Sequence, residues 1–204
     1  MRREEGLKLM KKTAAVSLDR DGVINEEVGY LDSLDKLKVI PAAFEAIRLI
    51  NQSGMKAVVI SNQAGVAKGL FTEDFVKKAN RHLQTILSRQ EAYLNHFYYC
   101  PHHPLEGEDP YRKVCECRKP APGMLIQAAQ DLDLDLQQSY FIGDRFNDME
   151  AARKAGVRGI LVKTGYGSEL LQDDGPDKPK PDNQPDFVAE DILDAVRWIL
   201  KDRM

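Results

Sequence analysis

The chain is poor in cysteine and in aromatic residues, and its charges nearly cancel. Three of its 204 residues are cysteines, one is a tryptophan, and 7% are aromatic. A chain of this length can bury a full hydrophobic core without disulfide bonds. The 29 basic and 32 acidic side chains give a net charge of −3, which provides no overall attraction for nucleic acid or for an anionic membrane.

Long apolar runs are also missing. No segment approaches the roughly 20 consecutive apolar residues that a membrane-spanning helix needs. The first five residues carry charges of both signs in place of the apolar centre of a signal peptide. We therefore expect a cytosolic protein without membrane or nucleic-acid partners. Because no long exposed apolar stripe stands out, we also expect a monomer.

Strand-like and helix-like segments alternate along the chain. Short runs rich in apolar residues at 14–19, 56–60, 95–99, 139–142 and 159–162 are separated by segments of helical composition at 41–53, 72–90, 122–132 and 147–155. This alternation predicts α/β architecture, a Rossmann-like three-layer α/β/α sandwich with a mostly parallel sheet. Neither of the first two strands is followed by an insertion large enough for a separate cap domain. The predicted site is therefore capless.

The ends of the chain are predicted to be less regular. Residues 1–13 are polar and predict a flexible arm, followed by one domain over residues 14–204. We also expect an edge strand at 187–188 and a closing helix over 190–201. Residues 170–184 are rich in Asp, Pro, Lys and Gln and predict a mobile loop.

A pair of carboxylates follows the first predicted strand. Asp19 and Asp21 come directly after the apolar run, and Gly22 is next. Alternate residues of an extended segment face the same side, so the two carboxylates can converge on one point. Converging anions repel each other unless a cation lies between them, and a divalent metal with oxygen ligands is suited to that position. A turn or a helix cap explains one of the two aspartates equally well.

Polar residues follow two other strands as well. Ser61 and Asn62 end the second strand, and Asp144 ends the fourth. In open α/β sheets, ligands bind outside the carboxyl ends of the strands, so these residues should share one crevice with the aspartate pair. Carboxylates, a hydroxyl and Lys119 suit a phosphoryl group, with Mg²⁺ offsetting the repulsion of the anions. One aspartate would attack phosphorus, and the second would exchange a proton with the leaving oxygen.

A cluster of cysteine and histidine lies between the third strand and the next helix. Cys100, Cys115 and Cys117, with a histidine at position 102 or 103, offer three thiolates and an imidazole. These are a complete tetrahedral set for a structural Zn²⁺ ion, which would clamp a loop over about 100–119. The bland alternative is a group of incidental cysteines beside surface histidines.

The chain resembles the haloacid dehalogenase superfamily of phosphatases in four ordered motifs, at residues 19–23, 61–63, 118–120 and 143–148. The segments 100–104 and 115–120 also resemble the family of D-glycero-D-manno-heptose 1,7-bisphosphate 7-phosphatases and the related histidinol-phosphate phosphatases. The resemblance covers residues 14 to about 167. It implies a haloacid dehalogenase-like fold, catalytic Mg²⁺, structural Zn²⁺ and a small sugar phosphate as substrate.

The resemblance also implies residue roles. Asp19 would be the nucleophile and Asp21 the general acid and base, while Ser61 and Lys119 would hold the phosphoryl group. Magnesium would be bound by Asp19, by the backbone carbonyl of Asp21 and by Asp144. Zinc would take His102 with the three cysteines. The implied substrate contacts are Glu27, Val28, Gly29, Tyr30, Asn62, Gln63, Ala64, Arg118 and Arg145.

The implied reaction is removal of the C7 phosphate of D-glycero-D-manno-heptose 1,7-bisphosphate through an aspartyl-phosphate, in the synthesis of nucleotide-activated heptose. Dephosphorylation of histidinol phosphate is the close alternative, and dephosphorylation of DNA 3′ ends is a more distant one. A zinc-stabilised binding module with an inactive site is the alternative from another class. The sequence leaves two roles for Asp148: a role linked to the metal, or that of a carboxylate in the first turn of a helix.

Overall fold

The computed structural model describes residues 12–172 and 184–204. Most of the predicted arm over 1–13 and most of the predicted loop over 170–184 lie outside these ranges. Within them, no helix is both long enough and apolar enough to cross a membrane.

Six strands form one parallel sheet. They are β1 (Ala15–Leu18), β2 (Lys56–Asn62), β3 (His96–Cys100), β4 (Tyr140–Gly143), β5 (Arg158–Val162) and β6 (Phe187–Ala189). Their spatial order is β3-β2-β1-β4-β5-β6. The predicted edge strand at 187–188 is thus β6, and it pairs only with β5. Every pairing is parallel, so the sheet is more uniform than the mostly parallel one expected.

Helices cover both faces of this sheet. They are α1 (Pro41–Gln52), α2 (Glu73–Ser88), α3 (Gly123–Asp131), α4 (Phe146–Ala155), α5 (Gly167–Gln172) and α6 (Ile192–Asp202). Side chains alternate along β1: Val16 and Leu18 pack in the core formed with α1, α2 and α6, whereas Ala15 packs in the core formed with α3 and α4. The three-layer α/β/α prediction is confirmed.

The first strand lies where the direction of winding reverses. The chain moves outward from β1 to β2 and β3, and then returns to place β4 on the other side of β1. Leu18 is accordingly flanked by Val59 of β2 and Ile142 of β4. Crevices form outside the carboxyl ends of strands at such a reversal, which puts the residues after β1 at the centre of the site.

The connections after β1 and β2 agree with the prediction, whereas the segment from residue 170 differs from it. The segments after β1 and β2, residues 19–40 and 63–72, are fully described and contain no separate domain, as expected of a capless protein. The prediction of a mobile loop from residue 170 is wrong at its start, because residues 167–172 form the helix α5. Leu170 of α5 packs against a small apolar cluster of Phe146, Met149 and Leu161. The prediction missed this contact because it rested on the polar composition of the segment.

Candidate active site

The predicted strand-end residues converge on one cavity of about 280 Å³. It is lined by Asp148, whose role the sequence left open, and by most of the site residues expected from sequence: Asp19, Asp21, Glu27, Gly29, Tyr30, Ser61, Asn62, Gln63, Ala64, Arg118, Lys119 and Arg145. Asp144 is buried and is not itself a lining residue. The side chain of Val28 is exposed, and this residue does not line the cavity either.

Three buried carboxylates meet beneath this cavity. One carboxylate oxygen from each of Asp19, Asp144 and Asp148 lies within 4.8 Å of the other two. The ammonium group of Lys119 is 2.8 Å from Asp19 Oδ2 and 2.7 Å from Asp148 Oδ1, and it also donates to the Ile60 carbonyl over 3.0 Å. One lysine thus faces three carboxylates, and the group keeps an excess of negative charge.

Asp144 is the least satisfied member of the trio. Its Oδ2 accepts from the backbone N–H of Tyr166 over 3.0 Å, but its buried Oδ1 has no hydrogen-bond partner among the described residues. Buried polar atoms rarely stay unpartnered, and hard divalent cations bind groups of oxygen ligands like this one. The trio therefore fits a divalent metal.

Two glycines allow the backbone to approach Asp144. Gly22 and Gly165 have φ angles of +82° and +58°, a region that favours glycine. A Cβ atom on Gly22 would lie 2.3 Å from Asp144 Oδ2, and one on Gly165 would lie 2.1 Å from the same oxygen. The glycine that follows the aspartate pair is therefore required for close packing at the site as well as for its turn.

The environment shifts the pKa values of the cluster strongly. Burial raises the pKa of Asp144 to about 8, and the negative charges of Asp19 and Asp148 add to this effect. Burial also raises the pKa of Asp19 to about 6, against the opposing effect of Lys119. Burial alone lowers the pKa of Lys119, but the charges of Asp148 and Asp19 outweigh it and raise the pKa overall. Metal binding at this cluster should therefore displace protons near neutral pH.

Asp21 faces a different set of partners. Arg20 donates to both of its carboxylate oxygens, Asn25 donates to Oδ1, and Gln63 donates to Oδ2. Although burial acts to raise the pKa of Asp21, the charge and hydrogen bonds of Arg20 lower it overall. The side chain of Asp21 thus stands apart from the trio while lining the same cavity.

Side chains at the carboxyl end of β2 organise one side of the cavity. Asn62 bridges the backbone of Lys119, donating to its carbonyl and accepting from its N–H, each over 3.0 Å. Gln63 donates to Ser61 Oγ over 2.9 Å. Lys119 is thus held at the end of β2 by two of its groups. Asn62 binds its backbone, and the Ile60 carbonyl accepts from its ammonium group.

The cysteine and histidine donors form a second cluster. Cys100, His102, Cys115 and Cys117 each place one donor atom within 4.8 Å of the others. Sulfur–sulfur distances are 3.0, 3.2 and 3.5 Å, and His102 Nδ1 lies 3.3 and 3.6 Å from two of the sulfurs. Zinc–sulfur bonds near 2.3 Å imply ligand separations of about 3.8 Å, so the donors are packed slightly closer than one tetrahedral ion requires.

The two adjacent histidines have different surroundings. His103 Nδ1 accepts from the backbone N–H groups of Leu105 and Glu106, over 3.3 and 2.8 Å, and Nε2 lies 3.5 Å from the Glu106 carboxylate. His102 alone of the pair has a nitrogen among the thiols. Hydrogen bonding with Cys100, aided by Cys115 and His102, lowers the pKa of Cys117 to about 5. The same hydrogen bond and burial raise the pKa of Cys100, so Cys117 is the thiol of this cluster that most readily reaches the thiolate state that metals bind.

Several residues at the site were not predicted from the sequence. Phe71, Asn147 and Tyr166 line the cavity, and the guanidinium of Arg145 lies 3.7 Å from the centre of the Tyr166 ring. Arg20 is buried beside Asp21 and reaches Asn80 of α2. The sequence does contain one indication that Asn80 is buried. It lies on the apolar face of the amphipathic helix α2, whose other buried residues are Val76, Ala79, Leu83 and Leu87.

This fold and site define a hydrolase of the haloacid dehalogenase class. The HAD-hydrolase-like family model matches residues 116–195. The D-glycero-beta-D-manno-heptose-1,7-bisphosphate 7-phosphatase of Escherichia coli K12 is 37% identical over 194 residues, covering 95% of this chain and 97% of that protein. The D-glycero-D-manno-heptose-1,7-bisphosphate 7-phosphatase of Thermosynechococcus vestitus is 41% identical over 189 residues, covering 91% and 94%.

A solved structure agrees with these relatives. The D,D-heptose 1,7-bisphosphate phosphatase of B. bronchiseptica, complexed with magnesium and phosphate, superimposes with a TM-score of 0.80 at 30% identity. The alignment covers 93% of this chain and 99% of that one. The chain belongs to the family of D-glycero-D-manno-heptose-1,7-bisphosphate 7-phosphatases, and the resemblance stated from its motifs is confirmed.

Proposed function

We propose that the chain is a Mg²⁺-dependent phosphatase that removes the C7 phosphate of D-glycero-D-manno-heptose 1,7-bisphosphate and releases heptose 1-phosphate. The observation that carries this proposal is its identity of 37–41%, over nearly the whole chain, to enzymes of that name. The cavity supports it independently, because Lys119, Arg118 and Arg145 give it the positive side chains that a substrate with two phosphates needs.

The chemistry follows from the two aspartates of the first motif. An Asp19 oxygen forms a bond to phosphorus while the bond from phosphorus to the C7 oxygen breaks. Asp21, which takes up a proton before this step, gives that proton to the leaving oxygen. Water then attacks the phosphorus of the aspartyl-phosphate while the bond between phosphorus and the Asp19 oxygen breaks. Asp21 accepts a proton from the attacking water, and phosphate leaves with the Asp19 carboxylate restored. Lys119 and Ser61 stabilise the phosphoryl oxygens, a role supported by the 2.8 Å contact between Lys119 and Asp19.

Two metal ions complete the proposal. Asp19, Asp144 and the backbone carbonyl of Asp21 would hold Mg²⁺, whose charge offsets the negative charge of carboxylates and phosphate. The unpartnered Oδ1 of Asp144 supports this assignment. Cys100, His102, Cys115 and Cys117 would hold a structural Zn²⁺, supported by their mutual distances. Three free thiols suit a reducing compartment, and we propose that the protein acts in the cytoplasm.

A comparison of four substrates tests the proposed function. We expect kcat/KM to be highest for one of the two anomers of heptose 1,7-bisphosphate. It should be at least about tenfold lower for histidinol phosphate, which lacks the second phosphate and its ionic contacts. It should also be at least about tenfold lower for a 3′-phosphorylated oligonucleotide, which is far larger than a cavity of about 280 Å³. Release of phosphate should require Mg²⁺. A higher kcat/KM for histidinol phosphate or for the oligonucleotide would replace the proposed substrate.

Substitution of Asp19 tests the nucleophile. Asp19→Asn keeps the shape of the side chain but removes the attacking anion, and we expect phosphate release to fall by about a thousandfold or more. Circular dichroism should show a retained fold. Asp35→Asn is the matched control, because Asp35 is exposed and does not line the cavity. Full activity of Asp19→Asn would exclude Asp19 as the nucleophile.

A further inference from the structure

We propose that Arg20 and Asn80 are positioning residues, which together hold the carboxylate of Asp21 in the orientation needed for proton transfer. Arg20 acts on Asp21 directly, and Asn80 acts through Arg20. The inference rests on the proposed function, because it concerns the acid and base of that reaction.

All three nitrogens of the Arg20 guanidinium are engaged. Nε donates to Asp21 Oδ1 over 3.2 Å, and Nη2 donates to Asp21 Oδ2 over 2.9 Å. The third nitrogen, Nη1, donates to Asn80 Oδ1 over 3.2 Å. Because the guanidinium is planar, a two-point contact fixes the plane of the carboxylate as well as its position. Arg20 is 1% exposed and Asn80 is 7% exposed, so water cannot readily replace either partner.

The hydrogen bonds of Asp21 indicate which oxygen exchanges the proton. Oδ1 accepts from Arg20 and from Asn25, and Oδ2 accepts from Arg20 and from Gln63, the amide contacts being 2.8 and 3.0 Å. Four donors fill about four acceptor positions of an ionised carboxylate, so one donor must withdraw before a proton can bind. Both amide side chains are buried, Asn25 at 0% and Gln63 at 4% exposed, but only Gln63 lines the cavity and so has space to move into. The geometry therefore assigns proton exchange to Oδ2, with Gln63 as the donor that withdraws.

Asn80 is what makes Arg20 a fixed support. If Arg20 turned to follow the carboxylate, Nη1 would lose its acceptor on α2 in a buried setting, which is unfavourable. Asn80 thus ties the acid and base to a helix on the α1, α2 and α6 face of the sheet. A purely structural buried ion pair would have the same contacts, and the two roles differ in how activity depends on the leaving group.

The dependence on the leaving group is a direct test. An alkoxide leaving from C7 needs a proton as its bond to phosphorus breaks, whereas p-nitrophenolate leaves readily without one. The ratio kcat/KM covers the steps up to departure of the leaving group and is the quantity to compare. For Asn80→Ala we expect kcat/KM to fall about tenfold or more with heptose 1,7-bisphosphate, and less than about threefold with p-nitrophenyl phosphate.

Two further variants sharpen the test. Asn80→Asp keeps an acceptor oxygen for Arg20 and should restore most of the activity on the bisphosphate. Asn51→Ala is the matched control, because Asn51 is likewise a hydrogen-bonded asparagine on a helix, α1, but its partner is the backbone of Tyr93, with two hydrogen bonds of 3.0 Å. It should lower thermal stability and leave the ratio of the two kcat/KM values unchanged.

Each outcome decides the inference. Equal losses of Asn80→Ala on both substrates would show a structural role and overturn it. Should that variant not fold, Arg20→Lys carries the same test, because lysine keeps the charge but cannot make the two-point contact. If the unaltered chain released phosphate from p-nitrophenyl phosphate but from no sugar phosphate, the proposed function would fail, and with it the need for a proton donor.

Discussion

The carboxylate of Asp144 has more negative charge around it than the chain compensates. Its pKa of about 8 in the folded chain compares with an ordinary value of 3.8. Between these two pH values the folded chain holds a proton that the unfolded chain has already released. The free energy of unfolding contributed by this group therefore falls as pH rises through that window, in the absence of metal.

Substitution of Asp144 should separate metal binding from folding. Without added metal, we expect Asp144→Asn to raise Tm relative to the unaltered chain at pH 8, by about 2–4 °C per kcal/mol of relieved repulsion. This difference should shrink as the pH is lowered towards about 5, because both chains are then uncharged at the position. Thermal denaturation across this pH range measures it.

Magnesium gives the complementary measurement. Added Mg²⁺ should raise the Tm of the unaltered chain and of the Asp35→Asn control, and should have little effect on Asp144→Asn. An equal rise in all three chains would show that the ion binds elsewhere.

Asp148 shows why some roles could not be assigned from the sequence. From its motif, this aspartate could be either a carboxylate in the first turn of a helix or a carboxylate linked to the metal. In the structure, Oδ2 accepts from the backbone N–H of Arg145 over 3.1 Å, while Oδ1 contacts Lys119 over 2.7 Å. The two oxygens of one side chain serve the start of α4 and the carboxylate trio, which sequence spacing does not reveal.

The connection between β3 and α3 depends on side-chain anchors. Residues 101–122 contain no helix or strand in this fully described segment. Besides the Cys100, His102, Cys115 and Cys117 cluster, Glu73 accepts hydrogen bonds from Tyr111 of the loop over 2.9 Å and from Tyr99 of β3 over 2.7 Å. Arg118 also donates to the His102 carbonyl over 3.2 Å. The position of the Arg118 guanidinium in the cavity is thus linked to the proposed zinc ligands.

Loss of one thiol should therefore affect both stability and activity. We expect Cys117→Ser to lose bound zinc, to lower Tm, and to lower kcat/KM about tenfold or more by displacing Arg118 and Lys119, whose charged contacts are worth more than 1.4 kcal/mol. Metal analysis, thermal denaturation and kinetics measure the three effects. Lys113→Ala is the matched control, because Lys113 lies exposed on the same loop. Full activity of a zinc-free Cys117→Ser protein would contradict the link.

Among the helices and strands, the sequence predicts those that are long or have a strong hydrophobic pattern. The runs that became β1, β2, β4 and β5 are mostly apolar. The helix after Thr72 has a capping residue, because Thr72 Oγ1 accepts from Phe75 N–H over 3.2 Å. By contrast, α5 is six residues long and begins with Gly167. It lacks the apolar periodicity that identifies a helix, and it is held by the contact of Leu170 with the core.

In the molecule as a whole, the strand order explains why distant motifs share one site. Because β1 is central, Asp19 lies between the end of β2, with Ser61, and the end of β4, followed by Asp144. The rule that parallel strands present their carboxyl ends together was enough to predict this convergence from sequence. It could not predict the pairing of Arg20 with Asn80, since that contact depends on how α2 packs across the sheet.

The most direct test of the central claim follows the two phosphates of heptose 1,7-bisphosphate by ³¹P NMR. With the unaltered chain and Mg²⁺, we predict that the signal of the C7 ester disappears as inorganic phosphate appears, while the C1 phosphate signal persists. Without Mg²⁺, both ester signals should remain. Loss of the C1 phosphate first, or no release of phosphate with Mg²⁺ present, would contradict the account.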